Sequence, residues 1–159
     1  MTEVAHPGPR SVALSAAILQ AIEAQARTQA PNEACGVIVG DGDPRSGGRS
    51  LRYVPCRNVA PSLARFRMDP DDVRRLVNET DAAGETFWAI VHSHVRTAAV
   101  PSRRDVEMAA WWPASLFVLV SLSPAEADPV SRHASLRAWR IADGVAHEIG
   151  ILPESGGGA

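Results

Sequence analysis

Cysteine is scarce in this sequence. The 159 residues include two, Cys35 and Cys56, and they form no CxxC spacing. Neither a disulfide framework nor a cysteine-held zinc site is therefore expected, and any metal must be held by histidines and carboxylates. An apolar run of the ~18 residues that span a bilayer is absent as well, which excludes a membrane helix. The opening MTEVAHPGPR has neither a basic start nor an apolar stretch. No signal peptide is expected there, and the cytoplasm is the default location. Positive charge is not in excess: sixteen basic against eighteen acidic side chains leave a formal charge of -2. General binding to nucleic acid needs clustered cations for phosphate contacts, so it is not expected.

What is present is the balance of an ordinary globule, 45% apolar and 21% charged. The length suits one domain with a sizeable core. Its expected span is 10–152, with Pro- and Gly-bearing tails at 1–9 and 153–159. A short strand is expected over Arg10–Leu14. Ser15 then caps a helix in which Ile18, Leu19, Ile22 and Ala26 recur at helical spacing, and Pro31 ends it. The segment ACGVIVG, from Ala34 to Gly40, reads as a buried strand, followed by a turn or loop over Asp41–Gly48. Leu51–Val59 reads as another strand. Asp69-Pro70 opens a second helix with Val73, Leu76 and Val77 toward the core, and Gly84 follows its end. Thr86–His94 is a strand, and Ser102–Trp112 a helix stopped by Pro113. Leu116–Leu122 is a fully apolar strand, expected at the centre of a sheet. Asp143-Gly144 joins a final hairpin. The order β, α, β, β, α, β, α, β, β, β implies an α/β (α+β) domain, one mixed sheet flanked by helices.

Of five histidines, His92 and His94 stand apart at the end of an apolar strand. Residues i and i+2 of a strand share a face, with alpha carbons roughly 6.6 Å apart, so two imidazoles can converge on one metal while Ser93 faces away. His-x-His alone is also what a fraying strand end can carry. Asp105 adds an anionic third ligand if the loop after His94 folds back over the strand end. Taken by itself, Ser102-x-x-Asp105 after a proline reads as a helix capping box, and the two readings are compatible. Three protein ligands would leave zinc's fourth position open, as catalytic sites require. Glu33, at the mouth of a buried strand, is the carboxylate best placed to move protons there. It also reads as a partly exposed acid at a strand edge. Other metal patterns fail on the text. Ala98 and Ala99 stand where a cupin needs glutamate, the order is wrong for the two-His-one-carboxylate iron triad, Pro55-Cys56 lacks the second cysteine of a nucleobase deaminase, and HExxH is absent.

Glu33, then His92-Ser93-His94, seven residues, Ser102, two residues and Asp105 resemble the signature of the JAMM (JAB1/MPN/Mov34) metalloprotease family, and PNEACGVIVG is similar to the family's segment around its glutamate. The patterns HSHxxxxxxPSRxD and RIADGVAHE are similar to short bacterial members, among them peptidases that release cysteine from a ubiquitin-like sulfur-carrier protein. The resemblance implies a JAB1/MPN-like (cytidine-deaminase-like) fold. It implies zinc held by His92, His94 and Asp105, with Glu33 as general base and then acid, and Ser102 as donor to the oxyanion. The implied substrate is an amide after the C-terminal Gly-Gly of a ubiquitin-like (sulfur-carrier) protein, which is also the implied partner, with cysteine one candidate leaving group. The alternative is a non-catalytic MPN-type binding module for such a protein. A DNA-repair-associated branch fits less well, given the acidic balance. Val95 stands where most members have proline, so the loop Val95–Val100 is expected to be less rigid. Trp111 and Trp112 are expected to pack in the core or at the helix end rather than form a substrate platform, with exposure of one of them left open.

Overall fold

Local chemistry fixes where the elements start and stop. In the computed structural model, which describes residues 8–60 and 65–154, the Ser15 hydroxyl accepts from the Ile18 amide at 3.2 Å and opens α1 (Ala16–Gln29). Asp69 caps α2 (Pro70–Ala83), and Gly84 closes it in the left-handed conformation, φ 67°, which favours glycine. Asp143 and Gly144 both have positive φ, 51° and 76°, as a tight hairpin turn demands. That turn joins β6 (Ser135–Ala142) to β7 (Val145–Pro153). The remaining strands are β1 (Ser11–Leu14), β2 (Cys35–Gly40), β3 (Ser50–Cys56), β4 (Thr86–His94) and β5 (Leu116–Ser121). A third helix, α3 (Arg103–Met108), precedes β5. The strand and helix order is the expected one. A short 3-10 turn over Pro44–Ser46, capped by Asp43, is added within the Asp41–Gly48 loop.

The strands form one mixed sheet in the order β1-β7-β6-β5-β4-β2-β3. β4 and β5 are parallel, so both end on the same side, His94 opposite Ser121. β5 is buried throughout and central, as its unbroken apolar run implies. One face packs against α1 through Ile18, Ile22, Trp88 and Val91. The other packs against α2 and α3 through Leu76, Ile90, Phe117 and Trp139. β7 runs to Pro153, where it pairs with Leu14. Residues 1–7 and 155–159, within the two expected tails, lie outside the described residues. No helix among the described residues is long and apolar enough to cross a membrane.

Three expectations shift. Val77 is 36% exposed, not in the core, because Leu76 and Thr80 take the buried face of α2. The third helix tightens into a 3-10 turn over Ala109–Trp111; Trp111 points outward, 80% exposed, while Trp112 stacks on Phe87 with centroids 5.4 Å apart. The third strand stops at Cys56, and Asn58 instead bridges to Met68.

Candidate metal centre

The ends of β4 and β5 and the start of α3 meet over the α2/α3 face of the sheet. His92 and His94 project to that face with Ile90, while Val91 packs against α1. Ser93 turns the other way, as strand alternation requires. Its hydroxyl accepts from the Ala34 amide at 2.8 Å, and its own amide donates to the Ala34 carbonyl at 3.0 Å. The residue between the two histidines therefore fastens the segment that carries Glu33. Gln25 of α1 donates to the Cys35 carbonyl at 3.0 Å, and Asn58 donates to the Glu33 carbonyl at 2.8 Å. Glu33 is thus held on both sides along the chain and is buried, 8% exposed.

The loop after His94 does fold back. Ser121 donates to the Thr97 carbonyl at 2.6 Å, Trp139 to the Ala99 carbonyl at 2.9 Å, and His94 Nδ1 lies 2.8 Å from the Ala98 carbonyl. Three successive carbonyls are anchored, which offsets the proline missing at Val95. The loop delivers Ser102, whose hydroxyl accepts from the Asp105 amide at 3.2 Å, while the Asp105 carboxylate accepts from the Ser102 amide at 2.8 Å. The capping box is real, and the same carboxylate serves the site. Asp105 Oδ1 lies 3.2 Å from His92 Nε2, and Oδ2 lies 3.1 Å from His94 Nε2. The two Nε2 atoms are 3.3 Å apart. His92, His94 and Asp105 form a candidate metal site, and all three are buried.

The donor geometry fits a small divalent ion. Ligand atoms ~2.0–2.1 Å from zinc at tetrahedral angles lie ~3.3 Å from one another, which is the spacing seen. The Ala98 carbonyl requires a proton on His94 Nδ1, so the Nε2 of the neutral ring presents a lone pair to a carboxylate oxygen. Either a proton or a metal cation on Nε2 satisfies that contact. A backbone carbonyl behind a ligating imidazole is the usual orienting partner. His92 Nδ1 is buried with no hydrogen-bond partner among the described residues, and its ring stacks on Phe66 with centroids 4.4 Å apart.

The charges agree. Burial opposes ionisation of Asp105, but hydrogen bonds from both histidines outweigh it and hold the carboxyl far below its ordinary value. Burial pushes His92 down, away from protonation. For His94 burial acts the same way, but Asp105 and Ala98 outweigh it and raise it. Burial lifts Glu33 to about 7, with the Asp105 charge adding to the rise and His94 and Arg104 opposing it. The antiparallel register, Cys35 opposite His92, sets Glu33 at the His94 end of β4, beside the donor triangle.

Residues 15–142 match the family model described as prokaryotic homologs of the JAB domain. The chain belongs to the prokaryotic JAB family. Within it, the chain is 37% identical over 135 residues to the CysO-cysteine peptidase of Mycobacterium tuberculosis, covering 85% of this chain and 86% of that one. It is 33% identical over 93 residues to the desampylase of Haloferax volcanii, covering 57% and 63% of the two chains. Among solved structures, a protein of Desulfitobacterium hafniense aligns with TM-score 0.74 at 29% identity, over 90% of this chain and 92% of that one. A JAB1/MPN domain protein from Archaeoglobus fulgidus aligns with TM-score 0.54 at 15% identity, over 89% and 98%, and shares the fold. The JAB resemblance read from the spaced motif and the α+β fold it implies both hold.

All five motif residues come to one end of the sheet. Three further contributors gave no sequence signal. Phe66 lies in an irregular stretch, Asn58 reads as an ordinary loop residue, and Ala98 acts through its carbonyl, which no side chain reveals.

Proposed function

We propose that this chain is a zinc-dependent peptidase or isopeptidase that hydrolyses the amide after the C-terminal Gly-Gly of a ubiquitin-like sulfur-carrier protein. The triangle of two imidazoles and one carboxylate at 3.1–3.3 Å, beside a buried glutamate, carries the reading. The names of relatives support the substrate class: CysO-cysteine peptidase, desampylase and probable TtuB-protein conjugate cleaving protease. Cysteine is the leaving group best supported, because the relative matched over most of its length carries that name.

His92, His94 and Asp105 would hold the ion. When bound, zinc supplies Lewis acidity and lowers the pKa of water to about 7. Glu33 takes the proton of the attacking water and returns it to the leaving amine. A carboxyl lifted toward neutrality by burial suits a group that must both accept and give a proton. The Ser102 oxygen is engaged by the Asp105 amide, which leaves its own proton to donate to the oxyanion of the tetrahedral intermediate. Cys35 and Cys56 face each other across β2 and β3 as free thiols, which suits a reducing cytoplasm.

The test is mass spectrometry of carrier–amino-acid adducts incubated with the zinc-loaded chain. The adduct should lose its residue after Gly-Gly. Glu33→Gln should keep its metal and lose turnover; cleavage at the wild-type rate would remove Glu33 from the mechanism. Stoichiometric zinc with no hydrolysis of any adduct would favour the binding-module alternative.

A further inference from the structure

All sixteen basic residues of the chain are arginine. Their pairing differs between the two ends of β4. Toward Thr86 three are locked, Arg45 on Asp43, Arg49 on Asp41 and Arg52 on Glu85, at 2.7–2.9 Å, while Arg140, half-buried on β6, has no ion pair among the described residues. Toward His94 the pattern reverses. Arg57, Arg65, Arg67, Arg96 and Arg104 are exposed, and among the described residues none has an ion-pair partner.

Each is tied to the site through the chain. Arg57 precedes Asn58, which holds the Glu33 carbonyl. Arg65 and Arg67 flank Phe66, which stacks on His92. Arg96 lies two residues past His94, and Arg104 precedes Asp105. Nearby acids are occupied: Asp72 pairs with Arg75, Asp71 with Arg74, and Glu107 with Arg103, while Asp69 caps α2. Five exposed arginines without an ion pair, of which Arg104 lies within electrostatic reach of Glu33, therefore rim one end of a chain whose formal charge is -2.

We propose that this arginine rim is the docking face for an acidic surface of the ubiquitin-like carrier, on either side of the C-terminal tail that enters the site. The proposal rests on the function proposed above and adds the chemistry that selects the carrier. Guanidinium groups meet carboxylates as bidentate forks, and arginine alone is used here. The rim lies on both flanks of the metal centre, after β3 and around the start of α3, so it reads the carrier's body while the glycines read only depth. The face suits a protein and not a nucleic acid. Phe66, the one aromatic within its described segments, is turned onto His92 and gives bases no platform.

The experiment uses the zinc-loaded full chain carrying Glu33→Gln, with fluorescence anisotropy as readout. The probes are two labelled peptides that share a Gly-Gly end, one glutamate-rich upstream and one lysine-rich, and a single-stranded DNA oligonucleotide. At low salt the glutamate peptide should bind at least about tenfold more tightly than the lysine peptide. That preference should collapse as the Debye length falls from about 30 Å at 0.01 M salt to about 3 Å at 1 M. Replacing Arg57, Arg67 and Arg96 together by serine should abolish it, with zinc content and thermal midpoint unchanged as the folding control. Equal binding of the two peptides, absence of binding by both, or a preference that survives the triple replacement would each overturn the proposal. Tighter binding of DNA than of the glutamate peptide would assign the face to nucleic acid instead. Because binding is read without turnover, a preserved acidic preference alongside absent hydrolysis would sink the peptidase reading and leave the docking face standing.

Discussion

His94 joins every part of the candidate metal centre. Its Nδ1 is committed to the Ala98 carbonyl, and its Nε2 faces both Asp105 and His92. His94→Ala should therefore lose the metal, checked by metal analysis after dialysis. The raised pKa of His94 means a proton occupies the site in the metal-free chain below that value, and metal binding must expel it. Zinc affinity should accordingly rise with pH and weaken as pH falls through the His94 titration, measured by competitive zinc titration. Ser102 caps α3, and the proposed mechanism gives it a second role as oxyanion donor, which substitution separates from the first. Ser102→Ala removes the cap and the donor, lowering stability by about 1 kcal/mol and kcat by ~10²–10³. Ser102→Asp keeps a cap acceptor but has no proton to donate when ionised, so it should restore most of the stability and none of the rate, read from thermal melts beside kinetics.

At the scale of elements, the site depends on how β2 lies between its neighbours. Gly36 stands opposite Pro55 and Val91, and a Cβ there would sit 2.5 Å from the Val54 carbonyl oxygen. Gly36→Ala should cost on the order of 1–3 kcal/mol through strand displacement, visible as a lower denaturant midpoint. Glu23 ties α1 to the loop before β6, accepting from the Ala134 amide at 2.7 Å and from Arg27. Burial raises its pKa, but Ala134, Arg27 and His133 outweigh that and hold it below the ordinary value. Its contribution is present above the ordinary glutamate pKa and is lost as pH falls through the lower folded value. Glu23→Ala should be less stable than the parent by about 1–2 kcal/mol near neutrality, with the gap closing in acid.

Features written into local spacing were legible in the sequence. The His-x-His pair, the Ser102–Asp105 box, the Ser15 and Asp69 caps and the Asp143-Gly144 turn are readable because a few adjacent residues determine them. What depended on distant packing was not. Val77 and Leu76 both fit one helical stripe, and only the sheet beneath decides which is buried. The loop after His94 is anchored from β5 and β6, and the carbonyls that hold it have no side-chain identity. Phe66 reaches His92 through an irregular segment whose path no periodicity encodes.

For the whole molecule, a buried donor triangle at one end of the sheet would make a bound metal part of the folded state. An ion at 1,000 times its dissociation constant adds about 4.1 kcal/mol, which for a chain of this size raises the melting temperature by roughly 10 °C. Chelation should lower the midpoint by about that amount, and zinc should restore it, followed by calorimetry. The most direct measurement of the central claim is zinc K-edge absorption on the purified, zinc-loaded chain. About one zinc per chain is expected, with only nitrogen and oxygen neighbours at about 2.0–2.1 Å, two of them imidazole. Sulfur scattering at about 2.3 Å, or an ion that persists unchanged in His92→Ala and His94→Ala, would contradict it.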